Sequence, residues 1–92
     1  MTNDKKFYVY ILRSLKDHSY YVGQCNDLDW RMSKHSEGMS KYTVSKRPLR
    51  LVYFEVYLSR QESIKREKQI KRMKSRKYIE ILISEWKKAW EG

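Results

Sequence analysis

The chain has 92 residues, enough for one domain with a modest core, and too few for a two-half dinucleotide-binding fold or a full barrel of strands and helices. Lys and Arg number 21 against 11 Asp and Glu, and a net charge of +10 on so short a chain points to a polyanion, with nucleic acid first. One cysteine, Cys25, and two histidines, His18 and His35, exclude an internal disulfide and a multi-cysteine or histidine-rich zinc site.

The segment Met1 to Lys6 is polar and has no signal-peptide core, so the expected compartment is the cytoplasm. Charges interrupt every apolar stretch before it reaches membrane-span length, so no membrane partner is expected. Phe7 to Leu12 (FYVYIL) is apolar at both parities, which predicts a strand covered on both faces. Leu15 to Ser19 reads as a turn and Tyr20 to Gly23 as a second strand, antiparallel because the connection is too short for a crossover. Asn26 is a candidate helix cap, with Asp27 and Asp29 suited to the positive end of the helix dipole. Leu28, Arg31, Met32 and His35 then recur at helical spacing, and Gly38 is a plausible stop.

Met39 to Arg50 lacks a period, holds the sole proline, Pro48, and reads as a basic loop. Leu51 to Tyr57 (LVYFEVY) is a third strand. Ser59 and Glu62 form a capping box that opens a helix to about Lys71–Lys74. Ser75 starts a last helix, to about residue 90, with Ile79, Leu82, Ile83, Trp86 and Trp90 along one stripe. That stripe serves either to close the core or to dock on a membrane surface or partner. The expectation is a single α+β domain over 1–92, a three-stranded antiparallel sheet flanked by helices in the order β-β-α-β-α-α, with its core at about 7–77.

Several positions invite two readings. On a helical wheel Glu67 falls between Ile64 and Ile70, inside the packing arc. A carboxylate there is compensated either by Lys71 four residues on, or by a hard divalent cation. Arg31 could grip a phosphate with its planar fork or snorkel past the core edge. His35 could serve the site or contact the helix dipole. Tyr8 and Tyr10 share one face of the first strand, and Tyr20 and Tyr21 split between faces of the second; such tyrosines are either packing residues or catalytic hydroxyls. Cys25 reads as a small packing residue. Residues 60–77 hold nine basic and only two acidic residues, a sign imbalance that a merely solubilising face does not need.

Taken in order, these residues resemble the GIY-YIG nuclease family, in its small stand-alone bacterial branch of UPF0213 type. Tyr8-Val9-Tyr10 stands at the Gly-Ile-Tyr signature and Tyr21-Val22-Gly23 at Tyr-Ile-Gly. Arg31, His35 and Glu67 fall at the family's arginine, histidine and metal-binding glutamate. Lys41-Tyr42-Thr43, Arg47-Pro48, Leu51 to Glu55 and Lys65 to Lys71 match the same branch.

The resemblance implies one Mg²⁺ or Mn²⁺ ion on Glu67, no small-molecule cofactor, and hydrolysis of DNA phosphodiesters with low sequence specificity, on duplex, branched or single-stranded DNA. It gives Tyr10 or Tyr21 the role of activating water while the other orients it, Arg31 the charge on the phosphate, and His35 the positioning of water or phosphate. Lys41, Tyr42, Arg47, Lys65, Arg66, Lys68, Lys71 and Arg72 are the expected nucleic-acid contacts of a chain assumed monomeric. A non-catalytic basic nucleic-acid-binding module on the same fold is the alternative.

Overall fold

The central strand decides the architecture. The computed structural model describes residues 5–36 and 46–91. Phe7–Ser14 forms β1, Tyr20–Cys25 β2, Leu28–Ser36 α1, Leu49–Tyr57 β3, Arg60–Met73 α2 and Arg76–Glu91 α3. The sheet order is β2-β1-β3 with both pairings antiparallel. This is the α+β fold and the element order that the apolar runs and caps predict.

β1 lies in the middle because it has no polar face to offer solvent. Val9, Tyr10, Ile11 and Leu12 are all buried, as a strand covered on both sides requires. On one face Tyr10, Leu12 and Cys25 pack with Tyr8 and Tyr21 and with Leu28 and Met32 of α1. On the other, Ile11 and Tyr53 pack with Ile79, Leu82, Ile83 and Trp86 of α3. The apolar stripe of α3 from Ile79 to Trp86 therefore packs onto the core. The Trp86 ring lies 6.0 Å from Tyr53 and 5.5 Å from Phe54 between centroids, distances at which tilted aromatic pairs attract. A register shift between Ile11 and Leu12 in the β1–β3 ladder leaves Val52 as the extra residue.

The helix ends follow local chemistry, with one correction. Asp27, not Asn26, caps α1: its carboxylate accepts from the Trp30 N–H at 3.0 Å and its carbonyl from the Arg31 N–H at 3.1 Å. Asp27 stands where both its carboxylate and its carbonyl meet the first free amides of the helix. Ser59 caps α2 by accepting from the Glu62 N–H at 3.1 Å, and Ser75 caps α3 by accepting from the Tyr78 N–H at 3.1 Å. α2 ends at Lys74, whose left-handed conformation (φ 47°) terminates the helix. The strands run longer than their apolar runs, β1 to Ser14, β2 to Cys25 and β3 from Leu49. Ladder pairing extends into the polar ends: Arg13 pairs with both Tyr20 and Arg50. Gly38 and most of the expected basic loop lie outside the described residues. No described helix is long and apolar enough to cross a membrane.

Candidate active site

Tyr10 sits on the central strand directly opposite Gly23 of β2. Its ring lies across that glycine, and a Cβ at position 23 would overlap the phenol carbon and the hydroxyl. Glycine is thus the residue that lets Tyr10 lie flat toward the β2 side of the sheet. Tyr10 is 5% exposed, and burial is the main cause that pushes its phenol up to about 12. Three charges modulate that value: Arg31 lowers it, and Cys25 and Glu67 raise it. Arg31 and Glu67, from two different helices, therefore act electrostatically on one hydroxyl.

Arg31 reaches this place because α1 turns Leu28 and Met32 onto the sheet. The Arg31 guanidinium carbon is 5.5 Å from the Trp30 ring centroid. Its Nε is buried without a hydrogen-bond partner. A dry, unpaired guanidinium N–H is costly, and an anionic ligand would satisfy it.

Glu67 comes from α2, which packs against all three strands. Ile70 is fully buried on the same helix, and the Glu67 side chain keeps 19% of its surface exposed against 55% for Lys71. The two form the i,i+4 ion pair at 3.4 Å. This long, half-wet contact contributes a few tenths of a kcal/mol at most. Among the described residues no three His, Cys, Asp or Glu side chains gather around a common point. A single carboxylate fits a hard ion that fills its remaining positions with water and phosphate oxygens, as Mg²⁺ does.

Tyr21 is half-buried on the same face as Tyr10, but its hydroxyl lies elsewhere. It accepts from the Ser19 hydroxyl at 3.5 Å, and it acts electrostatically on Lys46. Lys46 and Asp17 form an ion pair, which holds the Asp17 carboxyl well below its ordinary range, mainly through the Lys46 hydrogen bond. Position 35 lies in the last turn of α1, but the His35 side chain, Lys41 and Tyr42 lie outside the described residues. Cys25 is buried, and burial pushes its thiol up, which suits a packing residue.

The basic tract divides. Lys65, Lys68, Lys71 and Arg72 on α2 are exposed, as is Arg47. Arg66 turns inward instead. Its Nε donates to Glu55 Oε1 at 3.0 Å and Oε2 at 3.2 Å, and its terminal nitrogens donate to Gln69, Tyr78 and Glu55. Tyr53 and Tyr57 donate to the same carboxylate. Burial pushes the Glu55 carboxyl up, but the hydrogen bonds from Arg66, Tyr53 and Tyr57 outweigh it and the net shift is down. Arg66 thus spends its donors on partners within the protein. Glu55 is the partner that the sequence reading left without a role. Its signal was a lone acidic residue among the apolar and aromatic residues of LVYFEVY, in a strand flanked by packing faces.

Comparison with known proteins places these residues in a family. Residues 6–79 match the model of the GIY-YIG catalytic domain. The chain is 42% identical over 78 residues to a UPF0213 protein of Staphylococcus saprophyticus, covering 84% of this chain and 94% of that one. A UPF0213 protein of Clostridium perfringens is 38% identical over 78 residues, covering 84% and 83%. Among solved structures, the solution NMR structure of a UPF0213 protein from Bacillus halodurans superposes with a TM-score of 0.55 at 40% identity, covering 86% of this chain and 83% of that one.

Proposed function

The chain belongs to the GIY-YIG family, a nuclease family that is generally metal-dependent, and from that premise we propose that it hydrolyses DNA phosphodiester bonds with the help of one divalent cation and little sequence specificity. The observation that carries this reading is the convergence of Tyr10, Arg31 and Glu67 from three elements, with the Arg31 Nε buried and unpaired.

Glu67 would hold the cation. Mg²⁺ or Mn²⁺ supplies there the positive charge that polarises the phosphoryl group and steadies the leaving oxygen. Arg31 takes the phosphate through its unpaired N–H and stabilises charge that develops on it. Tyr10, in its phenolate form, is the group we assign to accept the attacking water's proton and become the neutral phenol, because Arg31 and Glu67 both act on its ionisation. At about 12 the phenol is mainly protonated at neutral pH, so the reactive phenolate is a small fraction that grows as pH rises. Burial is the largest cause that raises it, Arg31 favours the phenolate and Glu67 opposes it. Tyr21, by Ser19 and Lys46, orients rather than deprotonates. Arg47, Lys65, Lys68, Lys71 and Arg72 bind the DNA backbone, and Lys41, Tyr42 and His35 complete the proposed contact set.

This assignment predicts a split between chemistry and binding. Tyr10→Phe and Arg31→Lys reduce cleavage about 10²-fold or more, the usual scale for a lost proton-transfer or charge-stabilising group. Binding measured without metal changes less than about threefold for Tyr10→Phe, since one hydroxyl adds little to a phosphate-dominated affinity. Unchanged cleavage by both variants would remove Tyr10 and Arg31 from the reaction.

A second reading has its own support. Lys71 already compensates Glu67, and the exposed cations of α2 suffice for salt-sensitive binding without catalysis. Tight binding by the wild type with no product from any DNA substrate would select that module.

A further inference from the structure

The opposite face of the sheet carries a second cluster that the Tyr10 site does not use. Arg13 and Tyr20 are partners across the β1–β2 ladder. The Arg13 guanidinium lies 5.8 Å from the Tyr20 ring centroid, and that of Arg76, in the first turn of α3, lies 4.7 Å from the same ring. Beside them opens a shallow cleft of about 280 Å³ lined by Arg13, Tyr20, Glu80, Ile83, Ser84 and Lys87. The Arg13 Nε is buried and has no hydrogen-bond partner. Among the described residues Arg13, Arg76, Lys87 and Glu80 enter no ion pair.

We propose that this cleft is a second phosphate site, built to hold one nucleotide unit on the face opposite Tyr10. A charged donor kept dry and unpaired calls for an acceptor from outside the chain. The planar fork of arginine matches two phosphate oxygens, and the ammonium of Lys87 and the hydroxyl of Ser84 supply further donors on the α3 wall. Tyr20 attracts both guanidiniums to its ring, which orders them before a ligand arrives. Among the described residues that line the cleft, Glu80 is the one acidic group. It is an acceptor for a sugar hydroxyl or a base amino group, so the ligand is a phosphate that carries such a group rather than a bare anion. The phosphate comes either from a nucleic-acid strand running along this face or from a free mononucleotide. The proposal needs no cleavage at Tyr10, and it stands or falls separately from the nuclease reading.

The test is the side-chain Nε–H signal of Arg13 in an ¹⁵N-labelled full chain, titrated separately with inorganic phosphate, a 5′-mononucleotide and a short single-stranded oligonucleotide. The expected result is a saturable shift of the Arg13 signal with the mononucleotide or the oligonucleotide, and at least threefold weaker binding of inorganic phosphate. A response to the oligonucleotide alone identifies a strand as the source, and a response to the mononucleotide identifies a free nucleotide. Lys87→Gln, an exposed change that leaves the fold intact, should weaken that binding about threefold or more. With the oligonucleotide it should also lower the salt slope by about one. The proposal is overturned if the Arg13 signal stays fixed at saturating oligonucleotide and mononucleotide. It is overturned equally if inorganic phosphate binds as tightly as either, or if Lys87→Gln changes nothing. An Arg13 shift in a chain that cuts no DNA would leave this site standing while the nuclease reading fails.

Discussion

At the scale of single residues, Tyr10 depends on a neighbour that contributes no side chain. Gly23 leaves room for the ring, so Gly23→Ala forces the phenol end of Tyr10 aside. The expected outcome is cleavage reduced about 10²-fold, as misplacing a reacting group by an ångström can cost. Because the displaced ring is buried in the core, stability falls as well, by about 1–3 kcal/mol as overpacking costs, and thermal unfolding of the variant beside its cleavage rate separates the two.

The Tyr10 hydroxyl also gives a pH signature. Burial raises its folded-state value to about 12 from an ordinary value near 10. A raised phenol stabilises the fold fully below the ordinary value, and that contribution is lost as pH climbs from about 10 through about 12. Glu67→Gln removes one of the charges that raise it. The variant's Tyr10 should therefore titrate lower than the wild type's without metal, by the ¹³Cζ shift of labelled tyrosine. An unchanged or higher value would mean that Glu67 does not act on this hydroxyl. The motif residues Tyr10, Gly23, Arg31 and Glu67 were legible because their spacing is tied to the register and the helix faces. The raised phenol was not, since it follows from burial that only the folded packing creates.

At the scale of elements, the network around Glu55 fixes how α2 lies on the sheet. Glu55 belongs to β3, Arg66 to α2 and Tyr78 to α3, so one carboxylate and one guanidinium tie three elements together. Arg66 is also the neighbour of Glu67 in the chain, and its anchorage sets the rotation at which Glu67 is presented. Both partners keep about a fifth of their surface wet, 18% and 19%. Arg66→Ala is therefore expected to destabilise by about 2 kcal/mol, below the range for breaking a fully buried pair, in urea unfolding. It should also lower cleavage at a temperature where the variant is still folded. A variant as stable and as active as the wild type would show that the network positions nothing.

The sequence revealed the order of elements because apolar runs, caps and turn residues agree along the chain. It misplaced the α1 cap by one residue, since Asn26 and Asp27 are both good caps and only the path of the backbone chooses between them. It also counted Arg66 with the nucleic-acid contacts, because a basic tract does not reveal which of its cations faces a carboxylate on a strand eleven residues away.

At the scale of the whole molecule, one three-stranded sheet separates two differently packed faces. Tyr10 belongs to the face covered by α1, and Arg13 and Tyr20 to the side on which α3 packs. The exposed cations of α2 make a net charge of +10 effective toward a polyanion. Affinity for DNA should accordingly fall steeply with salt, with a log–log slope of about −0.9 per phosphate neutralised on duplex.

The most direct measurement is cleavage of supercoiled plasmid, together with branched and single-stranded DNA, in Mg²⁺ or Mn²⁺ by the wild type and by Glu67→Ala. The account predicts metal-dependent cutting of at least one substrate by the wild type, abolished by chelation, and a Glu67→Ala protein that still binds DNA and does not cut. Cutting by Glu67→Ala at the wild-type rate, or a wild type that binds every substrate and cuts none, would contradict it.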